Sequence, residues 1–195
     1  PAFSATYYID YDSGDDSANG TSTSTPWKRH PYMAGWTGSY SHSAGDIFIF
    51  KGGVSWPSAT HPMTIVGSGS GVGSEDTYKG DETWYTGGSY TRPILDGEGL
   101  KVATPIQIDA SYVKIDGLSV IDVGVSGTSS ALRGIQTLNG TKEGLIINDV
   151  FLRTQTNHGV TFHYNPTGNI TNGFKITNCY FSHAANFIES GVTDP

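Results

Sequence analysis

The chain has 195 residues and a net charge of −7, enough length for one domain with a core of its own. Only 15% of residues are charged, against about a quarter in an average protein, while Gly fills 26 positions and Ser with Thr fill 43. The absence of a basic stripe argues against nucleic-acid binding. No run of about 18 apolar residues is present to cross a membrane, and a single cysteine, Cys179, cannot form an internal disulfide.

Few charges with abundant Gly, Ser, Thr and aromatics predict an all-β chain rich in turns. Beginning at Pro1 without Met, it reads as a mature secreted chain or a piece of a longer one. A first strand is expected at Tyr7-Tyr8-Ile9-Asp10, followed by a polar loop from Asp12 to Thr21. Asp10, Asp12, Asp15 and Asp16 cluster here. They are candidate calcium ligands or a solvated acidic turn, and no Glu closes an EF-hand pattern. Pro26 near Trp27 predicts a short helix or turn. Ile47-Phe48-Ile49-Phe50 before Gly52-Gly53 predicts a second strand. Residues 67–92 read as a long Gly/Ser-rich loop within a segment, 1–93, that holds an N-terminal cap and the first strands.

From residue 94 onward a repeat dominates. Three segments align without gaps, starting at Val113, Leu145 and Phe174, as apolar-x-apolar-x-x-apolar-x-apolar. The alternation predicts strands, and the middle pairs Asp116-Gly117, Asn148-Asp149 and Thr177-Asn178 predict tight corners. A second strand precedes each unit, at Ile106-Gln107-Ile108, Ile135-Gln136-Thr137 and Val160-Thr161-Phe162, and a further copy begins at Asn186. Such short turns cannot bury an apolar face alone and must stack, so Ile115, Ile147 and Ile176 are expected one above another.

Tyr-Tyr-Ile-Asp, Gly-Asp-Asp-Ser, Pro-Trp, Ala-Gly-Asp-Ile-Phe-Ile-Phe-Lys-Gly-Gly and Pro-Ile-Leu-Asp-Gly, over about residues 7–99, together resemble the start of pectate-lyase-like right-handed parallel β-helix proteins, and the later turns continue the resemblance to the end. The resemblance implies a right-handed parallel β-helix, a single-stranded solenoid of about three to four turns over 94–195, whose first end is covered by the opening segment. It also implies an extracellular or cell-surface setting, and it covers both polysaccharide-cleaving and non-catalytic proteins.

Alternation places Gln107, Gln136 and Thr161 in one outward row. With His163 and Tyr164 they are the candidate carbohydrate-binding residues. Arg133, His158 and His163 are the candidate catalytic groups for a lyase, which needs a base and a cation near an acidic sugar. The plainer alternative is that they are solvated loop residues. A glycosidase needs two carboxylates roughly 5–10 Å apart, and Asp116 and Asp149 sit at corners, where structural roles are favoured. Asn19, Asn139 and Asn169 occupy glycosylation sequons. Nothing after Asn186 reads as a closing cap, so the chain is expected either to be a fragment or to have that end covered by another molecule. The leading expectation is therefore an extracellular structural or adhesive protein, a filament subunit contacting identical subunits end to end. The second is a carbohydrate-active lyase or hydrolase, or a fragment of one, with a polysaccharide as partner.

Overall fold

A computed structural model describes residues 4–100, 104–124, 133–138, 140–154, 158–162, 173–182 and 186–190. After β1 (Thr6–Ile9) the strands come in threes. The first turn is β2 (Ile47–Gly52), β3 (Ser55–Trp56) and β4 (Met63–Ile65). The second is β5 (Asp76–Tyr85), β6 (Ile94–Asp96) and β7 (Ile106–Ile108); the third is β8 (Val113–Asp116), β9 (Ser119–Val123) and β10 (Arg133–Thr137). Then follow β11 (Ile146–Asn148), β12 (Phe151–Thr154) and β13 (His158–Phe162), and finally β14 (Lys175–Thr177), β15 (Tyr180–Ser182) and β16 (Asn186–Ser190).

Each sheet takes one strand from every turn. The first sheet runs β1-β2-β5-β8-β11-β14, the second β3-β6-β9-β12-β15 and the third β4-β7-β10-β13-β16, and every paired strand is parallel. The fold is all-β, without an α-helix among the described residues, and its strand order is that of stacked solenoid turns.

Register aligns the core into columns. Tyr7, Phe48, Tyr78, Ile115, Ile147 and Ile176 stack in the first sheet. Trp56, Leu95, Val120, Leu152 and Phe181 stack in the second, and Met63, Ile106, Ile135 and Val160 in the third. Residues Phe48 through Ile147 of the first column are buried, each worth about 1.5–3 kcal/mol in apolar transfer for a fully buried side chain. Corners between the first and second sheets bend through Gly117, Asp149 and Asn178, all with positive φ (64°, 51° and 54°), as Gly, Asp and Asn tolerate. Amides lace these corners together. Asn148 Nδ2 donates to Asp116 Oδ1 at 2.7 Å, and Thr177 Oγ1 donates to Asn148 Oδ1 at 2.8 Å.

One expectation changes. Residues 67–92 are not loop throughout, because residues 76–85 form β5, which pairs with β2 and β8 in the first sheet. The described residues therefore contain five turns. The early ones show the repeat signature less clearly because several inward positions, Phe48, Phe50, Trp56, Met63 and Tyr78, are aromatic or Met instead of Ile and Val.

β1 is the edge of the first sheet, and the loop behind it satisfies that edge. Tyr8 N–H donates to Gly20 O at 2.7 Å, Trp27 N–H to Tyr8 O at 2.9 Å and Asp10 N–H to Trp27 O at 2.8 Å. Trp27 thus lies on a turn and an isolated bridge with Ile9, not a helix. Its ring stacks on Tyr7 at 4.5 Å, and Tyr7 continues the aromatic column into Phe48 and Tyr78.

Candidate functional site

Carboxylates of the acidic loop bond within the chain. Asp10 is buried, accepts from Ser13 and the Asp12 N–H, and pairs with Lys51 Nζ at 2.7 Å. Burial pushes its carboxyl up, but hydrogen bonds from Lys51 and Ser13 outweigh that and hold it below the usual carboxylate range. Asp16 is also buried and pairs with Arg29 at 2.8 Å, while Asp15 accepts from Ser17. Among the described residues no three His, Cys, Asp or Glu side chains converge on a point that could hold a metal ion. Asn19 is exposed, and its Oδ1 accepts from the Thr21 N–H and the Thr25 hydroxyl. Asn139 and Asn169 lie outside the described residues, as do His163 and Tyr164.

A second polar cluster fixes the turn before β2. Asp46 accepts from the Ala5 and Ser43 N–H groups and from Tyr40 Oη. Asp76 accepts from Gly45 N–H at 2.7 Å and meets His42 Nε2 at 2.6 Å. Burial first, then the neighbouring carboxylates, push the Tyr32 phenol up to about 12. These groups tie the capping segment to β2 and β5.

On the third sheet Gln107 and Gln136 hold the outward positions that the alternation requires. Gln107 sits between buried Ile106 and Ile108, and Gln136 between buried Ile135 and Thr137. Register sets Gln136 opposite Gln107 on one side and Thr161 on the other. The register runs further than the sequence repeat shows, since Thr64 precedes Gln107 on β4 and residue 189 follows residue 161 on β16. Thr64 Oγ1 donates to Gln107 Oε1 at 3.4 Å. Beside this row, register also sets Arg133 opposite His158, and His158 opposite Asn186. The candidate cation and the candidate base are thus brought to adjacent strands. Asp109, just beyond Ile108, pairs with Lys142 at 2.9 Å.

A groove of about 410 Å³ opens elsewhere, at the corner between the first and second sheets. Glu82 of β5, Tyr90 and Arg92 of the following loop, Ile94 of β6, Ser119 of β9 and the corner residue Asp149 line it. Arg92 clamps Asp149 twice, through Nε to its carbonyl at 3.1 Å and through the guanidinium to Oδ1. Tyr90 lies across Gly52 and Gly80. A Cβ at Gly52 would stand 2.7 Å from the Tyr90 ring, and one at Gly80 would stand 2.4 Å from its hydroxyl, so only glycine leaves room for it there. Burial, above all, raises the Tyr90 phenol from its ordinary value. Sequence reasoning misses this groove, because Arg92 and Asp149 are 57 residues apart and no local motif links them.

No family model and no curated protein matches the sequence. Solved structures do. The native GH136 lacto-N-biosidase from Eubacterium ramulus superposes with a TM-score of 0.60 at 12% identity, over 94% of this chain and 36% of that one. Its selenomethionine derivative gives 0.53 at 14% identity, over 92% and 31%. The likeness is one of fold, and the present chain spans about a third of that protein's length.

Proposed function

We propose that this chain forms turns of a right-handed parallel β-helix of the pectate-lyase-like kind, in an extracellular carbohydrate-active protein, with a glycan lying along the outer face of the third sheet. The observation that carries this reading is the outward row Thr64, Gln107 and Gln136, whose register continues along the backbone through residues 161 and 189. Rungs of a sheet repeat at about 4.8 Å, so the row and its continuation span about 19 Å. Amides and hydroxyls both donate and accept, which suits a chain of sugar hydroxyls, and Arg133 beside His158 adds a cation at the row's margin. Right-handedness follows the strong rule for parallel crossovers, about 98% of which turn that way. The likeness to a glycoside hydrolase favours this reading over a filament subunit, although that likeness reaches the fold and not the site.

The test is calorimetric binding of a panel of neutral and acidic oligosaccharides to the whole chain and to a Gln107→Ala/Gln136→Ala variant. Losing two amide contacts is expected to weaken binding at least tenfold, equivalent to about 1.4 kcal/mol. No binding across the panel, or binding that ignores the variant, would overturn it.

A further inference from the structure

We infer that the corner groove of Glu82, Tyr90, Arg92, Ile94, Ser119 and Asp149 is a second saccharide-binding subsite, shaped for one uncharged sugar ring. This extends the carbohydrate reading and rests on it, but none of these residues belongs to the third sheet, so the two faces are separate.

The volume, about 410 Å³, falls at the small end of the range of roughly 300–1,000 Å³ found for small-molecule clefts. Its walls mix two chemistries. Glu82 and Asp149 supply carboxylate acceptors. Arg92 supplies donors, and its two contacts to Asp149 engage two of the five N–H groups that a guanidinium carries. The Tyr90 ring and Ile94 supply carbon surface. A pyranose needs this pairing, with hydroxyls around its rim and C–H groups on its faces.

Charge selects further. Two carboxylates face one guanidinium that is already neutralised by Asp149, so a phosphate or uronate would meet net repulsion whereas a neutral ring would not. The clamp has a purpose in this arrangement. It holds Asp149 and Arg92 in fixed positions before a ligand arrives, which lowers the entropy lost on binding. The aromatic wall is likewise preformed, because Gly52 and Gly80 give Tyr90 its bed.

The groove also has a continuation. In the outward row of the second sheet, Ser119 is followed by Phe151 and then Tyr180. Their rings are parallel within 3° at 5.3 Å, and Tyr180 is 59% exposed. The small Ser119 leaves the face of Phe151 that is turned away from Tyr180 without an aromatic neighbour in the row.

The decisive experiment measures stoichiometry by calorimetry with the same oligosaccharide panel on the full chain, together with Tyr90→Ala and Glu82→Gln. Both variants change exposed or half-exposed positions, and Glu82→Gln keeps the side chain's shape while turning one acceptor oxygen into an NH2 donor, so thermal melting should stay close to that of the parent for at least that variant. The expected result is two binding events. One should weaken at least tenfold in Tyr90→Ala and several-fold in Glu82→Gln, and the other should respond only to Gln107→Ala/Gln136→Ala. A single event that both groove variants leave intact, and that the glutamine variant abolishes, would overturn the subsite while leaving the third-sheet reading in place. A single event lost only in the groove variants would do the reverse. Binding only of acidic sugars at the groove would contradict the charge argument, and no binding at all would end both readings.

Discussion

The two ends of the described stack are built on different principles. Around β1 and β2 the core is made of unlike, large rings: Trp27 on Tyr7, Tyr7 on Phe48 and Phe48 on Tyr78, with Trp56 and His30 beside them. Buried carboxylates are paired there with Lys51 and Arg29. From β7 to β13 the stacked core columns are mainly Ile, Val and Leu over their own kind, and the polar work falls to a ladder of short amides and hydroxyls at the corners. A repeating turn must present the same surface above and below, so like stacks on like. A cap must end the stack, so it needs large side chains to cover the cross-section and hydrogen bonds to satisfy the last strand.

That contrast is broken most directly by Trp27→Ala. Removing a buried ring that lies against Tyr7 and also donates to Ala18 O is expected to cost about 3–5 kcal/mol, whereas Ile147→Val in the repeating column should cost about 0.5–1.5 kcal/mol. Chemical denaturation of both variants checks the order. Equal costs would mean that the cap contributes no more than any one rung.

A smaller effect sharpens the comparison through pH. His30 is fully buried, and burial holds its imidazole well below the ordinary value; burial also lowers His61. Both stay neutral in the fold while the unfolded chain takes up protons below about pH 6.5. The stability they retain above that pH is lost as pH falls further, towards their folded values. Asp10, held below its usual range, adds stability that is present above about pH 4 and is lost as pH drops through its folded value. Melting temperature should therefore decline in two stages on acidification, and His30→Phe should flatten the upper stage. An unchanged upper stage in that variant would remove His30 from the account.

Much of this was legible in the sequence where neighbours repeat. Ile115, Ile147 and Ile176 could be aligned because β-branched alternation recurs at a near-constant interval, and Gln107, Gln136 and Thr161 followed from the same alternation. β5 was hidden because its strand reads Asp76-Thr-Tyr78-Lys-Gly80, where one inward aromatic replaces the aliphatic pattern. Partners of the acidic loop were hidden by distance along the chain, since Asp10 finds Lys51 41 residues away. The corner groove left a fainter trace in Gly52 and Gly80, whose missing side chains make sense only once Tyr90 is laid over them.

The central claim is that the third-sheet row contacts a glycan. Its most direct test is an amide-resolved NMR titration of the whole chain with whichever panel oligosaccharide binds tightest. The expected result is that shifts concentrate at residues 64, 107, 136, 161 and 189, with side-chain amide signals of Gln107 and Gln136 moving most, and that Tyr7, Trp27 and Phe48 stay still. Shifts confined to the capping segment, with the glutamine side chains unmoved at saturation, would contradict it.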